Sequence, residues 1–202
     1  MNADAIGGLA AAPAVAELPA PYNLRDFAGD VAAAAALLER GSAQRFQAAL
    51  ANPVRRLLAR DDLIECGLPR TGNNVAKSWY LYYDGTMSIV LFKVPMQPAV
   101  QPHDHGIWET LFVWRGQVRH AVYERTDDRL TPGCAKLVER EAGVLGPGDF
   151  AVVAPPTDIH GFHALDDDTY GITVSSGQYK PERVYYNLDT GSYEIRKPVT
   201  LR

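Results

Sequence analysis

The hydrophobic rhythm of the chain changes near residue 77. Before that point apolar residues recur at helical spacing. Over 24–40 the stripe is Leu24, Phe27, Val31, Leu37 and Leu38 in an Ala-rich background, with Gly41 as a stop. Ser42 can cap a second helix that carries Phe46 and Leu50. Pro53 is expected to break or restart that helix, with Val54, Leu57 and Leu58 continuing at helical spacing. A stripe of this kind predicts helices packed on a larger body.

After residue 77 the runs become short and strand-like. The run 78–83, a turn at Asp84-Gly85 and the run 87–94 read as a hairpin. Gln97-Pro98 leads into 101–116, Q-P-H-D-H-G-I-W-E-T-L-F-V-W-R-G, read as one strand that reverses at Gly116. Further strands are predicted at 117–125, 136–141, 150–154, from His160, and at 170–175, 183–187 and 193–196. Turns at 146–149, 166–168 and 189–191 separate several of them, and the acidic run 166–168 reads as solvated. Short strands punctuated this often predict an all-β barrel or sandwich.

Composition narrows the picture a little. The 202 residues suit one domain with an N-terminal extension. Residues 1–21, rich in Ala, Gly and Pro, are expected to form a disordered or loosely docked tail; 22–68 form a helical segment on the barrel; 69–202 form the barrel. A net charge of −4 argues against a nucleic-acid surface or a basic membrane patch. Two cysteines, Cys66 and Cys134, imply no disulfide framework and point to a reducing, cytoplasmic setting. No signal peptide and no membrane span are expected. A monomer or homodimer fits.

The chemistry lies in 101–116. On a strand, His103, His105 and Glu109 share a face, so two imidazoles and a carboxylate converge. Asp104, Gly106 and Trp108 face the other way. A third imidazole comes from His160, after the turn at 146–149, a short apolar strand and Pro155-Pro156. Three histidines and one glutamate at these spacings outweigh the bland reading of isolated core or surface histidines. His120 and His163 keep that bland reading: a half-exposed strand residue, and one on the face opposite His160.

These stretches resemble the two motifs of the cupin superfamily, H-x-H-x-x-x-E-x-x-x-x-x-x-G at His103, His105, Glu109 and Gly116, and P-G-D then P-x-x-x-x-H at 147–149, Pro155 and His160. The glycines usual before the first motif and between Pro155 and His160 are Gln97 and Thr157 here. The resemblance implies an all-β double-stranded β-helix, or jelly-roll, barrel with an N-terminal α-helical segment and one divalent metal inside. His-Asp-His-Gly-Ile-Trp, Trp-Arg-Gly and Asp158-Ile159-His160 are similar to the thiol dioxygenases, cysteine dioxygenase and its 3-mercaptopropionate relatives, over about 57–186. That similarity implies an iron(II) oxidoreductase that converts a small carboxylate-bearing thiol and O2 to a sulfinate, with three histidines as ligands.

The chain also departs from that family. Glu109 stands where thiol dioxygenases have Cys or Gly, so Glu109 is a fourth ligand or a base beside the metal. Thr173 and Ser175 stand where His and Tyr are expected, so the family's acid–base relay reads as missing. The substrate-binding Arg of cysteine dioxygenase is unmatched; Tyr80, Tyr82 and Lys77 occupy that region. Arg183 falls near the mercaptopropionate type's carboxylate-gripping Arg. Three His with one Glu also suit a dioxygenase acting on a non-thiol, or a metal-binding isomerase, lyase or sensor module, with Ni, Mn or Zn in place of iron.

Overall fold

The computed structural model describes residues 22–39, 42–71, 77–177 and 179–197. The expected tail over 1–21 and the Gly41 stop lie outside these residues. Helix α1, Leu24–Glu39, begins where Asn23 accepts the backbone N–H groups of Arg25 and Asp26, while Asp26 accepts the N–H of Asn23. This reciprocal cap satisfies donors that a first turn leaves unpaired. Helix α2, Ala43–Leu58, runs through Pro53 without ending, contrary to the sequence reading. Its buried stripe, Phe46, Leu50, Val54 and Leu57, spans the proline, and that packing outweighs the one lost helical hydrogen bond. A single turn, α3, Leu63–Cys66, leads to the strands.

Among the described residues twelve strands form two six-stranded antiparallel sheets, a double-stranded β-helix barrel. The first has the order β1 (Leu68–Pro69), β2 (Ser78–Tyr83), β3 (Met87–Lys93), β10 (Tyr170–Ser176), β5 (Glu109–Arg115), β8 (Phe150–Val153). The second has the order β12 (Ser192–Arg196), β11 (Arg183–Asn187), β4 (Val100–His103), β9 (His160–Ala164), β6 (Val118–Arg125), β7 (Leu137–Leu145). Alternation assigns the faces of the first sheet. Ile89, Leu91, Phe112, Trp114, Ile172 and Val174 point outward and pack in one core with Phe27, Val31, Phe46 and Leu50 of the helices. Phe92, Leu111 and Val113 point inward against Val118 and Phe162 of the second sheet. Because the helices cover its back, β3 is buried on both faces, and its sequence is apolar nearly throughout.

Two elements differ from the sequence reading. Strand β7 extends to Leu145, beyond the expected 136–141; it is a nearly wholly exposed edge strand, so no alternation of apolar residues marks it. Strand β1 is two residues long and was not anticipated. The hairpin reversal at Gly116 is as expected: its φ is +73°, and a Cβ there would lie 2.2 Å from Thr169 Oγ1. Among the described residues no helix is long and apolar enough to cross a membrane.

Candidate metal centre

The stretch 101–116 is not one strand. β4 ends at His103 and β5 begins at Glu109, with a loop between. Gly106, at φ +72°, turns the chain, and one carboxylate oxygen of Asp158 accepts the backbone N–H groups of both His105 and Gly106, at 2.9 and 2.6 Å. The parity argument therefore fails for His105, which the Asp158-capped loop folds inward instead. Its conclusion survives: His103, His105 and His160 form a buried cluster whose ligand atoms lie within 4.8 Å of one another. His103 and His160 are cross-strand partners of β4 and β9, which fixes two of the three. Trp108 points away and packs edge-on against Phe46 of α2, at 5.6 Å.

The outer nitrogens of two of these rings are held from behind. His103 Nδ1 donates to the carbonyl oxygen of Gln101 at 2.8 Å, leaving Nε2 free to ligate. His160 Nδ1 lies 2.9 Å from His120 Nε2. The Nε2 atoms of His105 and His160 face each other at 2.8 Å. His105 Nδ1 is buried with no partner among the described residues. Burial pushes His103 down to about 4 and holds His105 and His160 well below the usual imidazole range. All three are thus neutral at neutral pH, the form that binds metals. Tyr185 stacks on the His103 ring, with the planes 8° apart.

Glu109 faces this cluster. Its Oε1 lies 3.6 Å from His105 Nε2 and 3.7 Å from His160 Nε2. Its Oε2 accepts the hydroxyl of Tyr179. Burial raises its carboxyl to about 7, opposed by the Tyr179 bond and by the guanidiniums of Arg183 and Arg70. Burial and the neighbouring carboxylate push Tyr179 well above the ordinary phenol range. Ser175 points inward in the row of Glu109 and shares a 2.8 Å hydrogen bond with Ser88. The donor set fits a divalent ion: three neutral imidazoles and one carboxylate, closed from solvent at 4%, 2%, 0% and 3% exposure.

The other sequence candidates fall unevenly. Arg183 opens β11, half-buried, with its guanidinium carbon 4.9 Å from the Tyr179 ring centre and 5.5 Å from that of Tyr185. Tyr80 faces the same interior, but in the row of Val90, Thr173 and Leu111. Lys77 is a correction. It is exposed, and its carbonyl binds the N–H of Lys93, which lies in the row of Tyr170 and Arg115, six positions along β5 from Glu109. At ~3.3 Å per residue that places its backbone at the far end of the sheet, roughly 20 Å from the Glu109 row. His120 is also a correction: it is buried and bonded to His160, because it shares the inward face with Val118. The V-x-H-x-V alternation of 118–122 was the available signal. His163 faces outward, as expected. Sequence reasoning missed Tyr179, whose hydroxyl reaches Glu109 from the segment after β10, where no periodicity marks it.

No protein-family model and no curated protein matches the sequence. Three solved structures illustrate the likenesses found. KdgF from a Halomonas species is 21% identical over 55% of this chain and 87% of that one, with a TM-score of 0.40. An uncharacterised Klebsiella pneumoniae protein with a double-stranded β-helix domain is 13% identical over 69% and 97%, at 0.39. The DMSP lyase DddQ of Ruegeria pomeroyi is 14% identical over 59% and 60%, at 0.41, so the chain spans less than two thirds of that protein. Likenesses this distant carry nothing about the chemistry of the site.

Proposed function

We propose that this protein is a mononuclear non-haem iron oxygenase acting on a small carboxylate-bearing thiol. The observation behind this reading is the convergence of three buried, neutral imidazoles beside an inward carboxylate. His103, His105 and His160 would hold the ion, and Glu109 would add a harder fourth donor. Iron(II), when bound, would supply the O2 activation that oxidises a thiol to a sulfinate. The similarity of His103–Trp108 and Asp158–His160 to thiol dioxygenases supports the thiol. Arg183, over the Tyr179 ring, orients the substrate carboxylate. Tyr179 holds its proton at Glu109 Oε2 and so keeps Oε1 turned to the histidines. Burial of the cluster keeps bulk water away.

The test is metal analysis of the purified protein, then an oxygen-electrode screen of small thiols against catechol-like and diketone substrates. Bound iron with O2 uptake and a sulfinate product is the expected result. Tightly held zinc or nickel with no O2 uptake on any substrate would sink the proposal. One observation favours a second reading: a carboxyl raised to about 7 and bonded to a tyrosine suits proton abstraction at neutral pH. Under that reading the protein is a metal-dependent lyase or isomerase. Turnover would then consume no O2 and would be lost in Glu109→Gln.

A further inference from the structure

The chain leaves β10 at Ser176 in the first sheet and re-enters at Arg183 in the second. The connection therefore crosses the end of the barrel where β4 stops at His103, β5 starts at Glu109 and β9 starts at His160. Its residues 179–182 form neither strand nor helix, and Tyr179 and Lys180 are half-buried. Tyr179 turns its hydroxyl to Glu109 and its ring to His105, 4.8 Å away. Lys180 grips three consecutive residues of the loop that carries His105. Its ammonium reaches Asp104 Oδ2 at 2.5 Å, its N–H donates to the His105 carbonyl at 3.1 Å, and its stem lies on Gly106, where an added Cβ would be 3.1 Å from Cδ. Asp104 Oδ1 accepts the N–H of Val184 at 3.0 Å and closes the same seam beyond Arg183. The other walls are ladders: β5 is paired on both sides, by β10 and β8, and β9 by β4 and β6. Parting either breaks several backbone hydrogen bonds together, whereas lifting 179–182 breaks few. The three imidazoles and Glu109 are no more than 4% exposed, so a ligand needs an opening to reach them.

We infer that residues 179–182 are the door to the metal centre and that the Lys180–Asp104 pair is its latch. The inference rests on the reading above for the metal and for nothing else. Opening swings Tyr179 off Glu109 and uncovers His105; closing returns Tyr179 and shuts out water. A small ligand enters and leaves by the same opening. The latch therefore sets both rates by one factor and leaves the affinity unchanged.

The first measurement is amide hydrogen exchange on the full, metal-free chain. Lys180→Met keeps the stem on Gly106 and the backbone bond but removes the charge, and Asp104→Asn keeps an acceptor for Val184. Either should speed exchange at position 180 about three- to tenfold, the range for a half-exposed charged pair, with the amides of β5 unmoved. Lys180→Arg should restore most of the protection. Raising ionic strength should speed the same amide in the wild type, a readout that serves even if the variants do not fold. The second measurement is stopped-flow binding of azide to the cobalt-loaded chain, followed by the cobalt absorption. The latch variants should raise association and dissociation rates by a similar factor, leaving Kd within about twofold. Exchange at position 180 indifferent to both salt and substitution, or an azide affinity altered through one rate alone, would overturn the inference; the second outcome is what a merely structural role predicts. If the chain takes up no cobalt, the metal reading falls, and the exchange result alone decides the latch.

Discussion

The two ends of the barrel interior are built from the same strands and differ in almost everything else. One end is a plug of Phe92, Val94, Leu111, Val113, Val118, Phe162 and Ala164. The other buries His103, His105, Glu109, His120, His160, Ser88 and Ser175. Strand β5 passes from Glu109 to Leu111 and Val113, and β9 passes from His160 to Phe162 and Ala164. One step of two residues thus crosses from reactive to inert surroundings. The apolar end gains free energy from burial in proportion to area. The polar end gains little from burial, since each group there exchanges water for a partner at near break-even. Stability and chemistry are therefore separable along a single strand.

Leu111→Ala is the sharpest way to break this contrast. It should lower stability by ~2–5 kcal/mol in urea titration, with metal content per folded molecule unchanged; metal loss without destabilisation would invert the comparison. His105→Ala should do the opposite. Metal affinity should fall by more than ~100-fold, exceeding the loss usual for a supporting residue, while the metal-free variant unfolds close to metal-free wild type. Retained metal in this variant would remove His105 from the ligand set.

His120→Ala should cost less, about 10- to 100-fold in metal affinity, because it touches only the rear nitrogen of His160. His120→Gln should recover part of that loss, a recovery that a mere packing role would not give. Asp84 carries the smallest expected effect. It sits at the exposed turn of the β2–β3 hairpin, where the N–H and hydroxyl of Thr86 and the N–H of Met87 hold its carboxyl at about 2, below the ordinary 3.8. A depressed carboxyl stabilises above its unfolded value and loses that contribution as pH falls through the folded one. The stability gap between wild type and Asp84→Asn should therefore close between about pH 4 and pH 2. A gap constant over that range would show that the charge plays no part.

Legibility in the sequence followed the physics of each region. The strands around the plug were readable as short apolar runs bounded by turns, because burial on both faces leaves little place for polar residues, as at 87–93 and 109–115. The histidines were readable because a metal site needs donors at fixed spacings on turn-bounded strands. Tyr179 and Asp158 as a loop cap were not. Each reaches the site from a loop, where the constraint is a three-dimensional hydrogen bond with no period along the chain. The strand parity assumed for His105 failed because one carboxylate supplies acceptors to two backbone N–H groups and makes a turn as cheap as a strand. Pro53 misled for a similar reason, since local propensity was overruled by a buried stripe on both sides of it.

The cross-strand pairing of β4 with β9 has a kinetic consequence. His105 and His160 are 55 residues apart in sequence yet meet at 2.8 Å. An ion gripped by both would act as a clasp across that loop, removing closure entropy that rises only slowly with loop length. The clasp forms only after long-range pairing, so metal capture belongs late in folding, and a chelator added to the finished protein must wait for β4 and β9 to part. Release of the ion would then be paced by the opening of the sheet, not by the strength of any one metal–nitrogen bond.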